Sequence, residues 1–205
     1  MKARYFLVMV ALLLPLQVIA ADSVPDPYTS VKQTTDKLLA NLVRVKPLYK
    51  TDPDKFYEEI KKSLAPFIDF DGFARGVMAR FYRRATPQQR EAFADKFQDK
   101  LIHTYSNALV KFDNQKVEVL PLQQPPQDGR ASVDLKIYGS DGAIYPVEYS
   151  LVLKDGTWKL RNLVINGINI GLQFRGQFAN YMQEYHNNID KVIANWDVNA
   201  ESNGA

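Results

Sequence analysis

The chain has 205 residues, enough for one domain or two small ones, with 26 basic and 23 acidic side chains and no cysteine. Disulfides and thiolate chemistry are therefore excluded, and stability must come from an apolar core, for which a hydrophobic content of 46% is sufficient.

Residues 1–20 read as a cleaved secretory signal. Lys2 and Arg4 form a basic start, Tyr5 to Leu16 an apolar run, and Val18-Ile19-Ala20 a small-residue pattern before a cut. The run is shorter than the ~20 residues of a bilayer-spanning helix. No Cys follows the cut, so there is no site for an N-terminal lipid. Without Lys2 and Arg4 the basic count falls from 26 to 24 against 23 acids, a net charge of +1. That excludes a general nucleic-acid binder, which needs a large cationic excess. Residues 21–205 are expected to form one soluble domain outside the cytoplasm.

Helices are expected over 30–113. The first runs from about Ser30 to Val45, with Val31, Leu38, Leu42 and Val45 on one side. Asp52 and Pro53 open a second, with Phe56, Ile60 and Leu64 spaced by four and Pro66 beyond its end. Asp69 caps a third, which carries Phe70, Phe73, Ala74, Val77, Met78 and Phe81 on one face. Gly72, Gly76 and Ala79 line its other face. Either they admit a close neighbour, or the glycines simply weaken the helix, each by about 1 kcal/mol relative to Ala. Thr86, Pro87 and Gln89 form a capping box for the next helix. Its apolar residues are Phe93, Phe97, Leu101, Tyr105, Ala108, Leu109 and Phe112.

From 115 to 166 the period changes to two. Val117 and Val119 come first, and Gln123 to Gly129 is a loop. Ala131, Val133, Leu135 and Ile137 then alternate with polar residues. Ser140-Asp141-Gly142 and Lys154-Asp155-Gly156-Thr157 are turns. They separate this strand from Val147, Tyr149, Leu151 and Leu153, and those from Trp158 to Ile165. Helical period returns over 168–198, with Ile170, Phe174, Phe178, Tyr181 and Tyr185, then Ile189, Val192, Ile193 and Trp196. Ala200–Ala205 is a polar tail. The fold class is α+β: a four-stranded antiparallel meander packed against helices, able to enclose an apolar cavity.

Catalytic and metal-binding patterns are lacking. His103 lies off the apolar stripe of its helix, and His186 belongs to a cap or turn. Neither has a metal-ligand spacing. Ser150 has no nucleophile-elbow context. Asp69 and Asp71 sit where acids favour a helix N-terminus. Asp134 and Glu148 are expected to face solvent. Arg75, Arg80, Arg83, Arg84 and Arg90 form either a solvated rim or a patch for an acidic partner or a lipid phosphate.

Two stretches carry a resemblance. One is Ile68-Asp69-Phe70 through Ala74-Arg75-Gly76-Val77-Met78, Tyr82-Arg83 and Ala85-Thr86-Pro87-Gln88-Gln89-Arg90 to Phe93 and Phe97. The other is Trp158-Lys159-Leu160 through Val164-Ile165-Asn166-Gly167-Ile168 to Phe174-Arg175-Gly176-Gln177-Phe178. They resemble the periplasmic phospholipid-carrier family of the maintenance-of-lipid-asymmetry (Mla) pathway, also called the toluene-tolerance family. The family often has Gly at the place of Ala79 and Trp at that of Tyr82. It favours Asp at Asn162, Glu at Asn166 and Ser at Asn169. The resemblance implies a periplasmic, non-enzymatic, monomeric shuttle without a cofactor. It would carry phospholipid between an outer-membrane lipoprotein–porin complex and an inner-membrane ABC transporter.

The physics suits that task. Two acyl chains hold ~30 methylenes at about 0.8 kcal/mol each, so bare transfer through water costs on the order of 20 kcal/mol. Strand phase puts Val147, Tyr149, Leu151, Trp158, Leu160 and Val164 on one side of the sheet. Those six are expected to face Val77, Phe81, Phe97, Leu101, Tyr105 and Phe174 around the acyl chains. Arg75 and Arg175 are expected near the rim, where a guanidinium can bind phosphate. The alternatives are ordinary core packing for each apolar residue, a chaperone or interaction module with a filled core, and an enzyme on a cone-like α+β fold.

Overall fold

The computed structural model describes residues 25–111 and 115–198, apart from the side chains of residues 106–108. The signal segment, Phe112, the Ala108 side chain and the polar tail lie outside the described residues.

Helix α1 spans Pro27–Val45. It begins before Ser30 because Asp26 accepts a hydrogen bond from the Thr29 N–H at 3.1 Å and Pro27 fits the first helical position. A single turn, α2 (Leu48–Thr51), leads into α3 (Pro53–Leu64), capped by Asp52. Helix α4 covers Phe70–Met78. The apolar stripe expected to continue to Phe81 instead enters a 3-10 turn, Ala79–Arg83, because Ala79 takes a φ of +46° and breaks the α ladder. Helix α5 runs Pro87–Lys111. Its capping box is reciprocal: Thr86 N–H donates to Gln89 Oε1 at 3.0 Å, and Gln89 N–H donates to Thr86 Oγ1 at 3.2 Å.

Among the described residues the sheet has five antiparallel strands, not four, in the order β1 (Val117–Val119), β2 (Arg130–Tyr138), β3 (Ile144–Lys154), β4 (Thr157–Ile165) and β5 (Ile168–Asn169). The additional strand comes from Asn166-Gly167, whose φ angles of +50° and +80° make a two-residue turn that pairs Ile165 with Ile168. Asn-Gly is the composition such a turn requires, since both positions need positive φ. Asn169 then caps α6 (Ile170–Glu184), and Asn188 caps α7 (Ile189–Asn195). Beyond β5 the free edge of β4 is covered. Leu160 N–H donates to Phe67 O at 2.7 Å, and Asp69 N–H donates to Leu160 O at 2.9 Å.

A bulge interrupts β4. Ser150 pairs with Asn162, but Leu151 pairs with Leu160, so Arg161 is the extra residue. Trp158 and Leu160 therefore share the inner face with Leu163, while Val164 pairs with Glu148 and lies on the outer face with Asp134 and Ser150. Strict alternation along β4 would place Val164 inside; the bulge at Arg161 reverses that.

The apolar interior divides. One cluster joins α4, α5, α6 and α7 through Phe73, Val77, Phe93, Phe97, Phe174, Phe178 and Trp196. A second lies under the sheet, where Val31 of α1 and Phe67 cover Val133, Leu135, Val147, Leu151, Trp158 and Leu160. Ile68 and Leu163 touch both. A third, of Leu42, Val45, Phe56, Ile60 and Ile102, holds α1 and α3 to α5.

Candidate functional site

The sheet-side cluster opens to the surface through a cleft between α1, the end of α3 and the start of β4. It encloses about 510 Å³, within the range of ordinary small-molecule sites. Helical spacing along α1 brings Ser30, Thr34, Lys37, Leu38 and Asn41 to one wall. Phe67 and Trp158, both buried members of the sheet-side cluster, form the floor with Leu38. Hydrogen bonds tie both ends. Asn41 donates from its amide to Ser63 Oγ, joining α1 to α3, and Trp158 Nε1 donates to Pro25 O at 3.0 Å. Among the described residues, Lys37 and Lys62 are the charged side chains on the wall. A larger concavity, about 1030 Å³, covers the outer sheet face, but its wall is polar, with Ser132, Asp134, Glu148 and Arg161.

The twelve apolar residues expected at the lipid site do not form one wall. Val147, Leu151, Trp158 and Leu160 are buried in the sheet-side cluster, and Tyr149 packs against it. Burial pushes the Tyr149 phenol up to about 12. Val77, Phe81, Phe97 and Phe174 belong to the helical cluster, with Leu101 and Tyr105 packed against that one. Val164 is on the opposite sheet face. The expected facing of sheet against α4, α5 and α6 is thus replaced by two cores, because α1 and Phe67 occupy the inner sheet face.

Arg75 and Arg175 are both exposed, and neither lines the cleft. Arg75 and Arg90 flank the Tyr82 ring at 5.2 and 4.3 Å. Arg175 donates from Nε to Gly76 O at 3.0 Å, joining α6 to α4. Of the two α4 glycines, only Gly72 is closely approached: a methyl there would collide with the Asp69 carboxylate and Arg161 Nε, whereas Gly76 has open space.

The sequence reading missed a charged junction. Asp69 caps α4 as expected, accepting from the Gly72 N–H at 3.2 Å. It is also buried and accepts from Arg161 at 2.6 Å and from Lys154 at 3.1 Å. Burial alone would raise its pKa. The hydrogen bonds from Arg161, Lys154 and Gly72 outweigh that and hold the carboxyl below its usual range. The bulge supplies Arg161, and no strand pattern announces a bulge. His103 is exposed, with its ring 3.9 Å from that of Tyr57, and His186 adopts a positive φ in the turn after α6. Among the described residues, no three His, Cys, Asp or Glu side chains are placed to hold a metal ion. Nor, among those described residues, is any helix long and apolar enough to cross a membrane.

The arrangement defines an α+β binding domain: a sheet half covered by one helix, with an apolar cleft beneath that helix. The chain matches the family model described as MlaC protein over residues 32–198, and it belongs to that family. It is 42% identical to the toluene tolerance protein ttg2D of Pseudomonas putida, over 89% of this chain and 83% of that one. It is 23% identical to the intermembrane phospholipid transport system binding protein MlaC of Haemophilus influenzae, over 70% of this chain and 69% of the relative. A phospholipid-binding protein from Ralstonia solanacearum, solved in complex with a phospholipid, shares the fold. The TM-score is 0.75 at 24% identity, covering 83% of this chain and 94% of that one.

Proposed function

We propose that the protein is a periplasmic phospholipid carrier. It takes up a phospholipid with its acyl chains in the apolar interior under the sheet, and it shuttles between an outer-membrane lipoprotein–porin complex and an inner-membrane ABC transporter. Membership in the MlaC family supports the cargo, since one relative is named as the binding protein of a phospholipid transport system and a protein of the same fold was solved with a phospholipid bound. The observation that carries the location is the cleft: its floor of Leu38, Phe67 and Trp158 continues into the buried cluster of Val31, Val133, Leu135 and Leu151. Acyl chains enter by parting α1 from the inner sheet face, and each methylene that leaves water contributes about 0.8 kcal/mol. No chemical step is needed, because the work is transfer between apolar phases. Cleavage after Ala20 releases the domain into the periplasm. Native mass spectrometry of the purified mature chain is expected to show co-purified phospholipid. A ligand-free chain that also takes nothing from vesicles would refute the carrier reading.

A further inference from the structure

We propose that Lys37 and Lys62 select the cargo by headgroup charge, so that the cleft loads glycerophospholipids of net negative charge in preference to zwitterionic ones. This rests on the carrier reading above and adds a specificity to it. The two amines stand on opposite walls of one opening, Lys37 on α1 and Lys62 at the end of α3, above the apolar floor of Leu38, Phe67 and Trp158. Among the described residues no carboxylate lines that wall. Lys37 makes no ion pair among the described residues. Lys62 has a loose contact with Glu59 at 3.5 Å, and Glu59 is held more tightly by Arg44 at 2.6 Å. Both amines are therefore available to a phosphate at the mouth.

The other concavities suit that role less well. The outer sheet face carries Asp134 and Glu148, and the hollow beside His103 carries Asp54, Glu58 and Asp99, all of which repel phosphate. A small cleft between α4 and α6 holds Arg161 and Arg175, but Arg161 is paired with Asp69 and Arg175 with the Gly76 carbonyl. Lysine also fits the task. Its ammonium is a point charge on a flexible stem, able to follow a headgroup that keeps no fixed pose. A phosphatidylglycerol headgroup presents one uncompensated negative charge to the two amines. A choline headgroup adds a cation that they repel.

The test uses the mature chain, lipid-free or exchanged, with vesicles of equal phosphatidylglycerol and phosphatidylcholine of identical acyl chains at low ionic strength. Bound lipid is identified by native mass spectrometry. The wild type is expected to favour phosphatidylglycerol on the order of fivefold, a typical effect for exposed charges, and the preference should shrink as salt is raised. Lys37→Gln with Lys62→Gln should bring the ratio of bound phosphatidylglycerol to phosphatidylcholine near one. Lys37→Glu with Lys62→Glu should reverse the preference. Normal loading with no wild-type preference overturns the selection and leaves the carrier reading standing, as does a preference that survives the double Gln variant. Failure to load either lipid overturns both.

Discussion

Replacing Asp69 tests how α4 is fastened to the sheet. The carboxylate accepts from the Gly72 N–H, Lys154 and Arg161, and its side chain is only 2% exposed. Asp69→Ala removes the helix cap, worth about 1 kcal/mol, and the charge-assisted bonds, worth roughly 1.5–3 kcal/mol gross. Arg161 and Lys154 are 45% and 42% exposed, so both can turn to water and leave no stranded buried charge. The expected loss is therefore about 3 kcal/mol. Asp69→Asn keeps an acceptor for Gly72 and loses only the charge, so it should cost about 1–2 kcal/mol. Urea unfolding at pH 7 measures both. The sign with pH follows from the carboxyl's lowered folded pKa. The stabilisation is complete above the unfolded value of about 3.9 and is lost as pH falls through the folded value. The gap between wild type and Asp69→Asn should accordingly narrow below about pH 4. An Asp69→Ala variant within ~0.5 kcal/mol of wild type, or a gap unchanged between pH 7 and acid, would refute the reasoning.

Other substitutions separate core from cleft. Phe97→Ala, at a fully buried ring in edge contact with Phe73 and Phe174, should cost about 3–5 kcal/mol in chemical denaturation. Leu38→Glu, on the half-buried cleft wall, should deplete co-purified phospholipid while shifting the urea midpoint far less than Phe97→Ala does. Thr86→Ala breaks the reciprocal cap of α5 and should cost about 1 kcal/mol; a neutral result would mean that the cap is dispensable. Gly72→Ala should displace Arg161 from Asp69 and so destabilise the fold, whereas Gly76→Ala, facing open space in a helix, should be neutral or stabilising by up to ~1 kcal/mol.

Much of the fold was legible because the signals are local. Thr86-Pro87-x-Gln89 marks the start of α5, Asp52-Pro53 that of α3, and strict alternation marks β2 and β3. The fifth strand was also written in the sequence, as Asn166-Gly167, but the apolar spacing after it drew Ile168 into the helical pattern. Non-local features were not legible. The Arg161 bulge depends on pairing across two strands, and it alone moves Val164 to the outer face while Trp158 and Leu160 stay inside. Periodicity identified a buried face for α1, α3, α4, α6 and α7 and part of that of α5, missing Ala94 and Ile102, but not which helix covers the sheet. The expected wall therefore joined residues of two separate cores, and the cleft residues Lys37, Leu38, Lys62 and Phe67 went unassigned. Two lysines on different helices carry no sequence signature. Only the packing of α1 against α3 and β4 brings them to one opening.

The central claim is that acyl chains occupy the sheet-side interior, and the chain's two tryptophans report on it. Trp158 sits on the floor of the cleft, and Trp196 is 1% exposed among Phe93, Phe97 and Phe178 in the helical core. Trp196→Phe leaves Trp158 as the sole indole, and Trp158→Phe leaves Trp196. Each variant is loaded with phospholipid carrying bromine along its acyl chains, which quenches fluorescence on contact. Strong quenching of Trp158 with Trp196 unaffected is the predicted result. Quenching of Trp196 with Trp158 spared would place the chains in the helical core and contradict the account.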